Sequence, residues 1–129
     1  MFPSKENLTI CFAHAAYRMK DRFEARKTGI RSFEVRAYDD LQKRVGEADV
    51  VVASGMWKNE LIPHAGKLKF IQSISSGMDQ YSKEQLSAKS VRLCSAAGVN
   101  ARAVAEHAIS LILAMARRCM VPWRCSRYG

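Results

Sequence analysis

No segment constrains what this chain can fold into more than Asp49-Val50-Val51-Val52-Ala53. Three consecutive β-branched residues stiffen the backbone toward extended structure, and a run without polar alternates has no face to offer water. It reads as a strand covered on both faces, the habit of parallel sheets. Around it the pattern keeps switching period. Leu8–Phe12 is apolar and β-rich, then Ala16, Met19 and Phe23 follow at helical spacing, with Gly29 expected as the C′ residue of that helix. Ser32–Tyr38 alternates, with Phe33, Val35 and Ala37 on one side, and Asp39 or Asp40 is placed to cap a short helix through Leu41 and Val45. Asn59–His64 reads as a short helix and Phe70–Ile74 as a strand. Ser82 caps the segment KEQLSAK, and Val91–Cys94 is a fifth strand.

Five strands alternating with helices predict an α/β fold, a flavodoxin-like five-stranded parallel sheet flanked by helices and joined by right-handed crossovers. Ligands in such sheets bind beyond the C-terminal strand ends. Here those ends carry His14, Ser54-Gly55-Met56-Trp57 and Ser75-Ser76-Gly77-Met78. The last element differs in kind. Asn100 is a good N-cap for a long apolar C-terminal helix over Ala101–Arg118, whose AISLILAMA stretch has no polar face and is expected to be buried in a core or between subunits. Three regions are therefore expected: 1–99, 100–118 and an irregular tail over 119–129.

Charge and cysteines narrow the class. The chain has 129 residues and a net charge of +9, which raises the question of an anionic partner. The bases are spread along the chain, however, and in YRMKDRFEARK they interleave with Asp21 and Glu24 as on a solvated helix face, so nucleic acid is not the expected partner. The longest apolar stretch, Ala108–Ala116, falls far short of a membrane span. The N-terminus lacks the apolar core of a secretion signal, so the expected location is cytoplasmic. Cys11 and Cys94 read as buried small hydrophobes. Cys119 and Cys125 lack the spacing of a redox or zinc pair, so no metal is expected.

The seven glycines include no two within three positions of one another, so neither G-x-G-x-x-G nor a phosphate-binding P-loop is present. The informative segments are IQSISSGMDQYS and AAGVNARAVAEHAISLILAMARR. Ser75, Gly77 and Asp79, followed by Gly98, Asn100, Val104, Ala105, Glu106 and Arg117, resemble the first domain and connecting helix of the D-isomer-specific 2-hydroxyacid dehydrogenases over about residues 8–118. The resemblance implies an oxidoreductase acting with NAD or NADP on a D-2-hydroxy or 2-oxo acid. It also implies that this chain stops before the dinucleotide-binding domain. The family's Arg, Glu and His have no counterpart here, so no catalytic residue is assigned, and the chain alone is expected to bind no cofactor and not to turn over.

Substrate-binding candidates follow. The turn at Ser76-Gly77 can aim two amides outward at a carboxylate, and Gly77 lets a ligand approach because it has no Cβ; an ordinary turn is the alternative. Asn100 faces the substrate in some relatives, although helix capping explains it equally well. Met56 and Trp57 stand where the family lines its side-chain pocket, or else form a satellite core cluster. His14 and His107 are read as structural, His107 as a helix residue. The rival to the whole reading is a free-standing flavodoxin-like module that binds an anion or regulates. Without its partners, helix 101–118 is expected to drive self-association.

Overall fold

A computed structural model describes residues 2–119. They form β1 (Thr9–Ala13), α1 (Met19–Glu24), β2 (Arg31–Val35), α2 (Tyr38–Arg44), β3 (Val50–Ala53), β4 (Phe70–Ser73), α3 (Lys83–Ala88), β5 (Arg92–Cys94) and α4 (Ala101–Ala116), with 3₁₀ turns at Val45–Glu47 and Asn59–His64. The chain divides into two units, Met1–Ala96 and Ala97–Gly129.

The first unit holds a sheet in the order β2-β1-β3-β4-β5 with every pairing parallel. This is the doubly wound flavodoxin-like order, in which the crossovers reverse direction between β1 and β3. The register puts Phe33, Cys11, Val51, Ile71 and Leu93 in one row across the sheet. That row and its neighbours Val35, Ala13 and Ala53 pack with Leu41, Val45, Leu61, Ile62 and Leu86 into one core. The opposite face is covered less completely: Phe12 meets Phe23 of α1 at 5.3 Å between ring centres, while Val50 and Val52 are only half-buried. Asp49 ties the bottom of the sheet together. Its carboxylate accepts the Thr9 amide at 2.9 Å, and its carbonyl accepts the amides of Lys69 and Phe70.

Several expected ends differ. The first helix stops at Glu24, because 3₁₀ bonds tighten the chain after it and Lys27 (φ 49°) makes the left-handed reversal; Gly29 (φ 75°) serves the approach to β2 instead. Neither Asp39 nor Asp40 is a cap. Helix α2 begins at Tyr38 with Ala37 at the N-cap, and both acids fall in its first turn, where they favour the helix dipole. Cys94 is exposed rather than buried, since β5 is an edge strand whose ends face outward. The surface pairs expected around α1 are present as Arg18–Asp21 at 2.9 Å and Lys20–Glu24 at 3.2 Å.

In the second unit, α4 ends at Ala116 rather than Arg118, where Arg118 turns left-handed (φ 53°) and the Cys119 amide reaches back to the Ala114 carbonyl at 2.8 Å. No residue of α4 is buried, in contrast to the burial its composition suggests. Asn100 holds the N-cap position without a side-chain cap bond. Its ψ of 13° departs from the extended geometry that lets a cap side chain fold back onto the first turn. Cys125 and the tail over 120–129 lie outside the described residues. Among the described residues no helix is long and apolar enough to cross a membrane.

Candidate functional site

The C-terminal end of β4 is held by a small hydroxyl network. Ser73 is fully buried. Its Oγ lies 2.8 Å from Ser75 Oγ and accepts the Ser75 amide at 3.3 Å. Ser75 Oγ donates onward to the Gly77 carbonyl at 3.3 Å. The backbone on either side is fixed as well, with the Ile74 amide donating to Ala53 O at 2.9 Å and Ser75 O accepting from Ala96 N at 3.2 Å. A strand leaving the sheet under these restraints bends over Ile74–Ser76 and exposes Ser76 and Gly77. Among the described residues their two amides have no backbone acceptor.

Gly77 is required neither by its conformation nor by internal packing. Its φ lies outside the left-handed region. A Cβ placed there would meet Asp79 Oδ2 at 3.7 Å, an ordinary contact. What the absent side chain leaves open is the outer face of the bend, beside the two amides. Backbone N–H groups of exposed residues at the end of a parallel strand favour an anion, such as a carboxylate.

At the ends of β1 and β3 a cavity of about 360 Å³ is lined by His14, Ala15, Tyr38, Ser54, Gly55 and Met56. Met56 is half-buried at its edge. Trp57 is not part of it: with 2 % of its surface exposed it sits in the main core, stacked on Tyr81 at 6.0 Å. Tyr81 donates to Ala53 O at 3.4 Å; burial raises its phenol above the usual range, partly offset by hydrogen bonding with Ser73 and Gln80. The Tyr38 phenol is also raised, first by partial desolvation and then by Glu60, which its hydroxyl meets at 3.4 Å.

His14 is built into the β1–α1 connection. Its Nδ1 accepts the amides of Ala16 at 3.0 Å and Tyr17 at 2.8 Å, and its ring stacks on Tyr17 with centres 4.2 Å apart. His107 lies on exposed α4, where its carbonyl accepts Ser110 Oγ at 3.0 Å. Asn100 belongs to the second unit. Ser76, Gly77 and Met56 thus share the C-terminal edge of one sheet, and Trp57 lies beneath it. Ser73 was not legible as a site residue, because a serine inside an apolar strand carries no signal until its partner Ser75 is seen two residues on. Among the described residues no three His, Cys, Asp or Glu side chains gather as a metal would need.

Comparison with known proteins gives a consistent result. The family model described as D-isomer specific 2-hydroxyacid dehydrogenase, catalytic domain, matches residues 11–121. Erythronate-4-phosphate dehydrogenase of Pseudoalteromonas translucida is 34% identical over 89 residues, covering 65% of this chain and 24% of the relative. Among solved structures, a D-lactate dehydrogenase from Treponema pallidum superposes with a TM-score of 0.70 at 16% identity, over 85% of this chain and 36% of the other. An NAD-dependent formate dehydrogenase from Staphylococcus aureus, solved with NAD, superposes at 0.67 and 19% identity, over 83% and 38%. At such identities these structures establish the fold alone. The chain spans about a quarter of the length of the curated relatives it matches.

Proposed function

The chain belongs to the D-isomer specific 2-hydroxyacid dehydrogenase family, and from that premise we propose that residues 1–99 are a substrate-binding domain in which the amides of Ser76 and Gly77 hold the carboxylate of a D-2-hydroxy or 2-oxo acid. One observation carries this reading: among the described residues the amides of exposed Ser76 and Gly77 have no backbone acceptor, and neither conformation nor packing demands the glycine. Met56 lines the neighbouring cavity for the rest of the acid, and α4 is the connecting helix.

Family chemistry moves a hydride between a nicotinamide and the acid, and positioning the two is the protein's contribution. Among the described residues, the connection after the first strand does not fit a dinucleotide. The connection from β1 to α1 runs His14-Ala15-Ala16-Tyr17-Arg18, every residue with a Cβ, where a pyrophosphate needs bare backbone at a helix N-terminus. We therefore assign the chain binding and orientation of the acid, and infer that alone it neither binds NADH or NADPH nor turns over. Calorimetry with both cofactors and assays against glyoxylate, hydroxypyruvate and pyruvate test that half; micromolar cofactor binding would sink it. For the acid site, millimolar glyoxylate should shift the Ser76 and Gly77 amide resonances, and Gly77→Val should abolish the shifts while leaving the fold intact. Shifts confined to Arg18–Lys27 would mean that the anion follows surface charge.

A further inference from the structure

The pole of the sheet opposite the Ser76-Gly77 bend carries a cavity that acid binding does not use. It lies where the chain enters β4 and β5, beside α3, and has a volume of about 600 Å³. That is the size of a small-molecule site. Phe2, Leu86, Val91 and Leu93 give it apolar walls, and Lys69, Lys83 and Arg92 bring three positive charges. No carboxylate lines it. Among the described residues none of the three cations is in an ion pair.

The local fold accounts for neither the charges nor the hydroxyls beside them. Lys83 opens α3, the end at which a helix dipole disfavours a cation. The carbonyls at the other end are satisfied by backbone. Ser90 N–H donates to Ser87 O and Val91 N–H to Leu86 O, both at 2.9 Å, with Leu86 and Val91 buried as the apolar pair of this helix ending. Its reversing residue is usually glycine, because a Cβ is strained in the left-handed region. Here it is Ser90, at φ 56°. Ser87 and Ser90 both line the cavity, and their hydroxyls make no hydrogen bond among the described residues.

Other cavities with cations carry their own counter-ions. The one beside Phe33 holds Arg31, Arg44 and Lys67, but Glu47 and Asp49 line it too, and Arg44 pairs with Glu47 at 3.0 Å. Where Arg18 and Arg22 line a cavity, Arg18 pairs with Asp21 at 2.9 Å. Three like charges around one cavity repel, and a bound dianion relieves that.

We propose that this cavity binds a small phosphate monoester with an aromatic or branched apolar body. The proposal is independent of the Ser76-Gly77 site. A phosphate monoester offers close to two charges and three acceptor oxygens, which suits three cations and two hydroxyls better than a carboxylate does. Lys69 is half-buried, so solvent screens its charge less than those of exposed Lys83 and Arg92. Phe2 packs at a tilt on Phe70, with ring centres 6.5 Å apart, and leaves 42% of its surface for the apolar body.

Titrating the full 129-residue chain with phenyl phosphate, inorganic phosphate and benzyl alcohol, followed by nitrogen-15 amide spectra, tests this. Millimolar phenyl phosphate should shift residues 87–93 and bind about tenfold tighter than either half alone, the gain from partly burying a ring. Lys69→Gln and Arg92→Gln should each weaken it about fivefold, the worth of one unit charge at about 4 Å in water. Phe2→Ser should weaken phenyl phosphate and leave inorganic phosphate unchanged. Ser90→Gly separates ligand binding from folding. Glycine suits the left-handed position, so the urea midpoint should hold or rise while phenyl phosphate weakens about threefold. Inorganic phosphate bound as tightly as phenyl phosphate, or shifts confined to residues 18–27, would mean that the anion follows surface charge and would overturn the proposal. So would equal binding of benzyl alcohol, no shift at residues 87–93, or an affinity unchanged in both Lys69→Gln and Ser90→Gly.

Discussion

Replacing Ser73 by alanine tests whether the hydroxyl network shapes the bend that presents the two amides. The substitution removes the 2.8 Å contact with Ser75 Oγ and the acceptor of the Ser75 amide. A buried group deprived of its partner costs about 1–3 kcal/mol. Ser75 is only half-buried, so water reaches part of it and the cost should fall to about 1–2 kcal/mol. With a urea slope of roughly 2 kcal/mol per molar, the unfolding midpoint should drop by about 0.5–1 M. Ser75→Ala removes the same pair from the other side. The double variant should therefore cost less than the sum of the singles by at least about 0.5 kcal/mol, as coupled neighbours do. Glyoxylate shifts at Ser76 and Gly77 should weaken in parallel. Strictly additive costs, or a Ser73→Ala midpoint within about 0.1 M of the parent, would refute the reasoning and leave the bend to its backbone bonds alone.

Other outcomes are equally open to measurement. Burial pushes the Cys11 thiol from 9.0 up to about 12, with Arg44 opposing weakly, so a thiol reagent at neutral pH should label Cys94 and spare Cys11 until the fold opens; mass spectrometry after brief labelling reads this directly. Because the folded thiol holds its proton after the unfolded one releases it, Cys11 contributes stability fully present below pH 9 and lost as pH rises toward about 12. The stability gap between the parent and Cys11→Ala should hold constant below pH 9 and narrow between 9.0 and about 12, and a gap unchanged across that range would refute the linkage. Helix α4 leaves Val104, Ile109, Leu111, Ile112, Leu113 and Met115 exposed, each forgoing roughly half of the 1.5–3 kcal/mol that full burial is worth, so the isolated chain should self-associate. Ile112→Glu or Leu113→Glu should shift sedimentation toward monomer, and a parent already monomeric at high micromolar concentration would refute it.

What the sequence determined by itself was the set of elements. A continuous β-branched run, four further β-rich or alternating segments and the helical spacings between them fix a parallel α/β sheet, because backbone stiffness and face periodicity are local properties. The pairing of Ser75, Gly77 and Asp79 with the later run from Gly98 to Arg117 was equally local, and it pointed to the family. Element ends were less legible. Lys27 took the left-handed turn that Gly29 was suited to, and Ala37 stands at the N-cap ahead of Asp39 and Asp40, because the length of chain between strands outweighs a single residue's preference. Only tertiary structure decided that Trp57 turns into the core and Met56 to the cavity, and that Cys94 is exposed on an edge. It alone joined buried Ser73 to Ser75 and turned His14 Nδ1 onto two amides. Neighbouring residues at a strand end share one composition signal and differ in direction, and direction is set by the strands beside them.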